Sequence, residues 1–260
     1  MLSLTALLLI YSTIIVPENY KTIQEAVINA SKEDTIIVSE GIYKENVSIT
    51  RPVSIRSRRG PDFTTILAAV PSEPVFKISN VNNVTISGFT TTGSLLSGIY
   101  LYNSNNGTIT DNKSVKNGNG IIFYGSSNNT IAGNSADLNE SYGIYLDSSN
   151  RNSLEKNSAS SNKDNGIFLS SSSYNNLTDN NVNHNTWNGI LLWDSSNNTL
   201  KDNRAWRNRF GIVISGGGNN TLINNSTWSN IYIIMPLILA YIGIISYFIQ
   251  RRVLKTIYRV

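Results

Sequence analysis

Two aspartates, Asp179 and Asp202, stand 23 residues apart with Glu155, Lys156, Lys201 and Arg204 at related positions around them. Paired carboxyl groups are what glycoside hydrolysis requires, about 5 Å apart for retention and farther for inversion. A second set, Tyr100, Tyr102, Tyr124, Tyr145, Phe168 and Trp193, recurs at a similar interval and offers rigid amphipathic surface to a glycan or a protein. Metal chemistry has little to work with. The chain has no Cys, one His and two Met, and Met1 is the initiator. The acids form no tight cluster of the kind that holds calcium. His184 is read as a solvated side chain, and neither a metal nor a cofactor is expected.

What places these residues is a repeat. Gly98, Gly120, Gly143, Gly166, Gly189 and Gly211 follow one another at 22 or 23 residues, the signature of a solenoid or array. Counting each Gly as position zero, position one is Ile throughout, from Ile99 to Ile212, and position three is Leu101, Phe123, Leu146, Leu169, Leu192 and Ile214. That alternation predicts a strand with one buried face, so the aromatics at positions two and four form a vertical strip on its outside. Position eleven is always Ile or Leu, and position sixteen is small in most copies.

Two columns are Asn in all six copies: Asn112, Asn134, Asn157, Asn180, Asn203 and Asn225 at position fourteen, and Asn117, Asn139, Asn162, Asn185, Asn208 and Asn230 at position nineteen. Stacked one strand spacing apart, about 4.8 Å, such carboxamides can bond up and down as ladders, and Asn tolerates the left-handed backbone of a tight corner. The fold expected is all-β, a right-handed single-stranded parallel β-helix. A leucine-rich repeat would need a helical segment, and a propeller blade about 40 residues. Residues 34–97 read as earlier, less regular coils. Before them Ile23, Ala26, Val27 and Ala30 share one helical face, with Thr22 and Glu25 spaced as a capping box, which predicts a short helix covering the open end.

Asp179 and Asp202 fall at position thirteen, whose other members are Asp111, Gly133, Lys156 and Asn224. Such a mixed column is what an exposed turn carries, so a turn role competes with catalysis. Several Asn-x-Ser/Thr triplets also align, at Asn106, Asn128, Asn197 and Asn219, as surface turns open to glycosylation in an exported chain, whereas the triplets at Asn112, Asn139 and Asn225 belong to ladders and should be inaccessible.

The termini suggest a location. Residues 231–249 form an uncharged, mostly apolar run that as a helix would be about 28 Å long, close to a hydrocarbon core of about 30 Å. Arg251, Arg252, Lys255 and Arg259 follow it, and by the positive-inside bias they are cytoplasmic. The domains expected are a signal segment at 1–12, an ectodomain at 13–230, a transmembrane helix at 231–250 and a basic cytoplasmic tail at 251–260. Of 21 basic residues these four lie in the tail, leaving 17 against 17 acids, so nothing in the body suggests a nucleic-acid footprint.

The N-terminal stretch "IIVPENYKTIQEAVINASKEDTIIVSEGIYKENVSI", together with repeats of the form G-I-x-L…N-x-L-x-x-N, resembles the NosD-type periplasmic copper-binding β-helix proteins, and more broadly the pectate-lyase-like carbohydrate-binding and sugar-hydrolysis group. The resemblance covers residues 13–230 and implies the fold. It also implies an accessory role in metal-cluster maturation, for which the chain lacks the ligands. The leading expectation is a membrane-anchored, cell-surface binding or structural module for carbohydrate or envelope partners. The alternative is a polysaccharide hydrolase or lyase using Asp179 and Asp202.

Overall fold

The computed structural model describes residues 12–227 and the backbone of a two-residue strand, Ile233–Ile234. The chain winds into a parallel β-solenoid with three faces. Sheet 1 has nine strands, and the Gly column falls within or just before them, as at Ser97–Tyr102, Ile144–Asp147 and Asn188–Trp193. Sheet 2 has ten, from Thr13–Val16 to Thr221–Ile223. Sheet 3 begins as four strands, Gly41–Lys44 to Lys113–Ser114, and continues through single bridges at Ser135, Ser158 and Asn181 to Arg204–Ala205. Successive coils pair in register, Ile121 on Ile144 on Ile167 on Ile190, so like residues stack.

The apolar columns fill the interior as their alternation predicts. Ile144, Leu146 and Leu154 of one coil are fully buried, and so are Ile167, Leu169 and Leu177 of the next. One coil buries too few apolar groups to stand alone, so the core exists only by stacking. The Gly column is required by space. A Cβ on Gly166 would lie 2.6 Å from the Ala159 carbonyl oxygen and 2.6 Å from the Asn185 carboxamide nitrogen. Position sixteen is small for the same reason: the Ala136 methyl would lie 2.8 Å from a Cβ on Gly120.

Both Asn ladders form. Asn157 donates through Nδ2 to Asn180 Oδ1 at 3.0 Å and to the Ile131 carbonyl at 2.8 Å, while its own Oδ1 accepts from the backbone and side-chain N–H groups of Asn134, both at 3.0 Å. Asn139, Asn162, Asn185 and Asn208 continue the second ladder with Nδ2 to Oδ1 links of 3.1 Å. Asn230 lies outside the described residues. Among the described residues no buried side-chain nitrogen or oxygen lacks a partner. Sequence reading missed a third ladder at position nine, Asn129, Asn152, Asn175, Asn198 and Asn220, and beside it a column of buried serines from Ser104 to Ser195. The signal was present as near-invariance in the same alignment.

One detail of the expectation is corrected. The ladder asparagines do not carry the left-handed backbone of the corners. The residue before each of them does: Asp111, Lys156, Asp179 and Asp202 have φ of 53–55°, and Lys116, Leu138, Ser161, His184 and Arg207 have φ of 55–59°. Placing the strained residue first leaves the following Asn in ordinary backbone, with its carboxamide directed inward.

The N-terminal helix spans Ile23–Asn29, with the Thr22 and Glu25 capping box in place and Ile23, Ala26 and Val27 buried. It packs on Val47–Ile49, the outermost strand of sheet 1 at that end, which gives it the covering position expected. Glu45 adds a cap that the sequence pattern did not reveal, its carboxylate accepting the Ile23 and Gln24 backbone N–H groups at 3.0 and 2.9 Å. The signal segment, the membrane span and the basic tail lie outside the described residues, apart from Ser12 and Ile233–Ile234. The latter pair in parallel with Phe210–Ser215 rather than lying in a helix. Among the described residues no helix is long and apolar enough to cross a membrane.

Candidate functional site

Position thirteen runs along one corner of the solenoid. Asp179 and Asp202 sit one coil apart on the corner between sheets 2 and 3, both left-handed and exposed. Asp202 faces Lys201 Nζ at 3.7 Å, and Lys156 is held by Glu155 at 2.8 Å, while Arg204 lies over the Trp206 ring at 4.6 Å. A hollow on this edge is bounded by Asp111, Gly133, Glu155 and Lys156, without Asp179 or Asp202 in its lining. His184 is exposed on the next corner, with Nε2 3.3 Å from Arg207. Among the described residues no group of three or more His, Cys, Asp or Glu side chains could hold a metal ion.

The outer face of sheet 1 is a richer surface. Its position-two row reads Tyr100, Ile122, Tyr145, Phe168, Leu191 and Val213, apolar side chains in adjacent coils. The expected aromatic strip is there but not continuous. Tyr102 and Tyr124 stack at 5.9 Å between ring centroids, and Tyr145 and Phe168 at 4.9 Å with an interplanar angle of 16°. Tyr142, which the sequence reading left out, tilts against both members of the second stack. In that central cluster the ring faces are spent on one another. The Tyr145 hydroxyl is also fixed, donating to Asp147 at 2.8 Å. Burial pushes its pKa far up, and the bond to Asp147 pushes it further.

Either side of this cluster the face opens. One hollow is lined by Pro74, Lys77, Leu96, Tyr100 and Ile122, and the other by Trp187, Leu191, Trp193, Phe210 and Val213. Trp187 and Trp193 are 43% and 46% exposed, large values for indoles, so ring surface is available there. Arg209 lies over Trp187 at 4.3 Å and near Phe210 at 5.6 Å. Of the six aromatics singled out from sequence, Tyr100 and Trp193 line hollows, whereas Tyr102, Tyr124, Tyr145 and Phe168 stack in pairs. Trp187 and Phe210 were missed because they precede the Gly column rather than follow it. On the same side Asp164 is half-buried, and burial raises its carboxyl above the usual range despite the opposing Asn165 backbone N–H.

The model of a right-handed β-helix region matches residues 75–227, more than half of the chain. The chain belongs to the right-handed β-helix family. No curated protein matches it. Among solved structures this β-helix is similar to the A-module of the mannuronan C-5 epimerase AlgE6 of Azotobacter vinelandii, at 16% identity and a TM-score of 0.60, over 78% of this chain and 70% of that one. It is also similar to pectate lyase Pel9A, at 13% identity and a TM-score of 0.60, over 84% and 80% of the two chains. An alginate lyase from Paenibacillus sp. FPU-7 aligns at 17% identity and a TM-score of 0.53, over 84% of this chain and 99% of that one. At these identities the likeness is one of fold, and the β-helix's own surface has to carry its function.

Proposed function

We propose that this β-helix is a carbohydrate-binding module, displayed outside the cell on its C-terminal apolar segment, with the outer face of sheet 1 as the contact surface. The observation that carries the reading is the pair of open aromatic hollows at either side of the position-two row. A polymer laid along the solenoid axis meets one coil every 4.8 Å or so, a spacing comparable to one sugar ring, so each ring can rest on one side chain of the row. Aromatic and apolar floors with a few polar groups at the rim are the usual lining of such sites. An envelope protein on the same face, and a NosD-like accessory role, are the competing partnerships.

Affinity electrophoresis of the full-length protein through gels containing different polysaccharides tests the reading. Retardation by at least one polymer, lost in Trp193→Ala, is expected. Unchanged mobility in every gel would sink it. Reducing ends released by the wild type but not by Asp179→Asn would replace it with the enzymatic alternative. Protease protection of the 251–260 tail in sealed vesicles, with the β-helix exposed on the opposite side, is the expected result for the anchor.

A further inference from the structure

We infer that the mature protein carries N-linked glycans on the corner between sheets 1 and 2, drawn from Asn83, Asn106, Asn128, Asn197 and Asn219, and never on two of these in adjacent coils. The inference rests on the β-helix being displayed outside the cell and adds a covalent modification with a spacing rule. The residues stack in one column, since Thr85, Thr108 and Thr130 pair in register, as do Thr199 and Thr221. Each opens an Asn-x-Thr triplet. Each is left-handed, with φ of 56–59°, and four are exposed and Asn197 half-exposed. The Thr two places on stands outward on the next strand of sheet 2, so carboxamide and hydroxyl are displayed together.

The polar groups of this column are unengaged. Among the described residues none of the five carboxamides and none of the five threonine hydroxyls makes a hydrogen bond. The other triplets differ. Asn112 and Asn139 are buried and bonded within their ladders. The Asn46 carboxamide donates to three carbonyls. Asn224 is left-handed, but the Ser226 hydroxyl of its triplet accepts the Trp206 Nε1 proton at 2.7 Å. Asn176 lies within the paired strand Asn176–Thr178. A glycan is bulky and solvated and belongs on a surface turn, which the column supplies with both groups free. Attachment is a transfer from a lipid-linked glycosyl diphosphate. Nδ2 bonds the anomeric carbon, the bond from that carbon to the diphosphate oxygen breaks with its electron pair, and Nδ2 gives up one proton to a base of the transferase.

Adjacent coils lie about 4.8 Å apart. A chain of several sugars sweeps a wider volume, so a glycan on one coil covers the Asn above and below it. In the unfolded chain these neighbours are 22 or 23 residues apart and independent, so the exclusion exists only in the stacked solenoid. Asn83, Asn106 and Asn128 form one run. Arg151 and Tyr174 interrupt the column, the guanidinium over the ring at 5.3 Å, and Asn197 and Asn219 form a second run. Asn106 therefore has a competitor on each side.

The test takes full-length protein from the membranes of the cells that make it, digests it with trypsin and reads glycopeptides by mass spectrometry. Cleavage after Lys77 and Lys113 leaves Asn83, Asn106 and Asn112 on one peptide. The expected result is at most one glycan on that peptide, none on Asn112, and Asn106 the least occupied of its run. In an Asn83→Gln/Asn128→Gln variant, occupancy of Asn106 should rise about twofold or more as both neighbours are cleared. Two glycans on the one peptide, a glycan on Asn112, or an unchanged Asn106 in the variant would overturn the inference. Bare asparagines throughout the column would overturn it too. Protease protection in sealed vesicles then decides how far that failure reaches: a β-helix found outside leaves the display reading standing, and one found inside removes both.

Discussion

Positions thirteen and fourteen of each coil are adjacent in sequence and opposite in character. Thirteen holds Asp111, Gly133, Lys156, Asp179, Asp202 and Asn224, while fourteen holds Asn without exception. Both lie at the same corner, and every residue of the first column is left-handed. The first column asks only for a backbone conformation, which several residue types adopt at a cost of about 1–2 kcal/mol when they carry a Cβ. The second asks for a carboxamide with two donors and an acceptor in fixed places. Tolerance beside invariance therefore separates a surface turn from an interior bond network. It also explains why Asp179 and Asp202 look like a catalytic pair in sequence while occupying a column that admits Lys and Gly.

The contrast can be pressed with substitutions. The largest effect is expected just outside the two columns, at Gly166→Ala, where the added methyl meets a backbone oxygen at 2.6 Å and the coil must open. A loss of about 3 kcal/mol or more, read by urea unfolding, is the expected outcome. Asn157→Ala deletes four hydrogen bonds and strands buried groups on both adjoining coils, for about 3 kcal/mol. A loss as small as that from Lys156→Ala would erase the distinction between the columns. Lys156→Gly should stabilise slightly, by about 0.5 kcal/mol, because glycine relieves the left-handed strain and loses part of that gain to chain entropy. Asp202→Asn should stay within about 0.5 kcal/mol, as surface changes usually do.

A smaller effect depends on pH. The Asp164 carboxyl has a raised pKa in the folded state, mainly through burial, so its charged form is the unfavourable one there. Its contribution is most favourable below the unfolded pKa and is lost as pH rises through the folded value. Asp164→Asn should therefore raise the melting temperature at pH 7 and leave it nearly unchanged at pH 3. The opposite order would mean that the carboxylate is held by a favourable partner.

The fold was largely legible because a repeat shows each interior requirement six times over. The Ile and Leu columns and the two ladders were readable that way, and the capping box of Thr22 and Glu25 from its own local spacing. Glu45 was not, since a carboxylate reaching across 22 residues to a helix end leaves no local pattern. The third ladder was overlooked because Gly107 interrupts its column, although Gly107 still donates its backbone N–H to Asn129 at 2.7 Å. The site was less legible for a physical reason. Alternation tells which side chains face outward, but whether an outward ring offers its face to solvent, as Trp193 does, or to a neighbour, as Tyr145 does, depends on rotamers that no column encodes.

The even spacing of the coils carries a consequence for how such a chain changes length. Residues 143–165 run from one column glycine to the residue before the next, so removing them joins Tyr142 to Gly166, and Ile167 follows Ile121 in the stack. Asn134 then meets Asn180, and Asn139 meets Asn185, with the same groups facing one another. Nothing inside the solenoid records the missing turn. Duplication of the same segment is equally silent there, so the reach of the outer face can be lengthened or shortened in units of one coil without redesigning the interior.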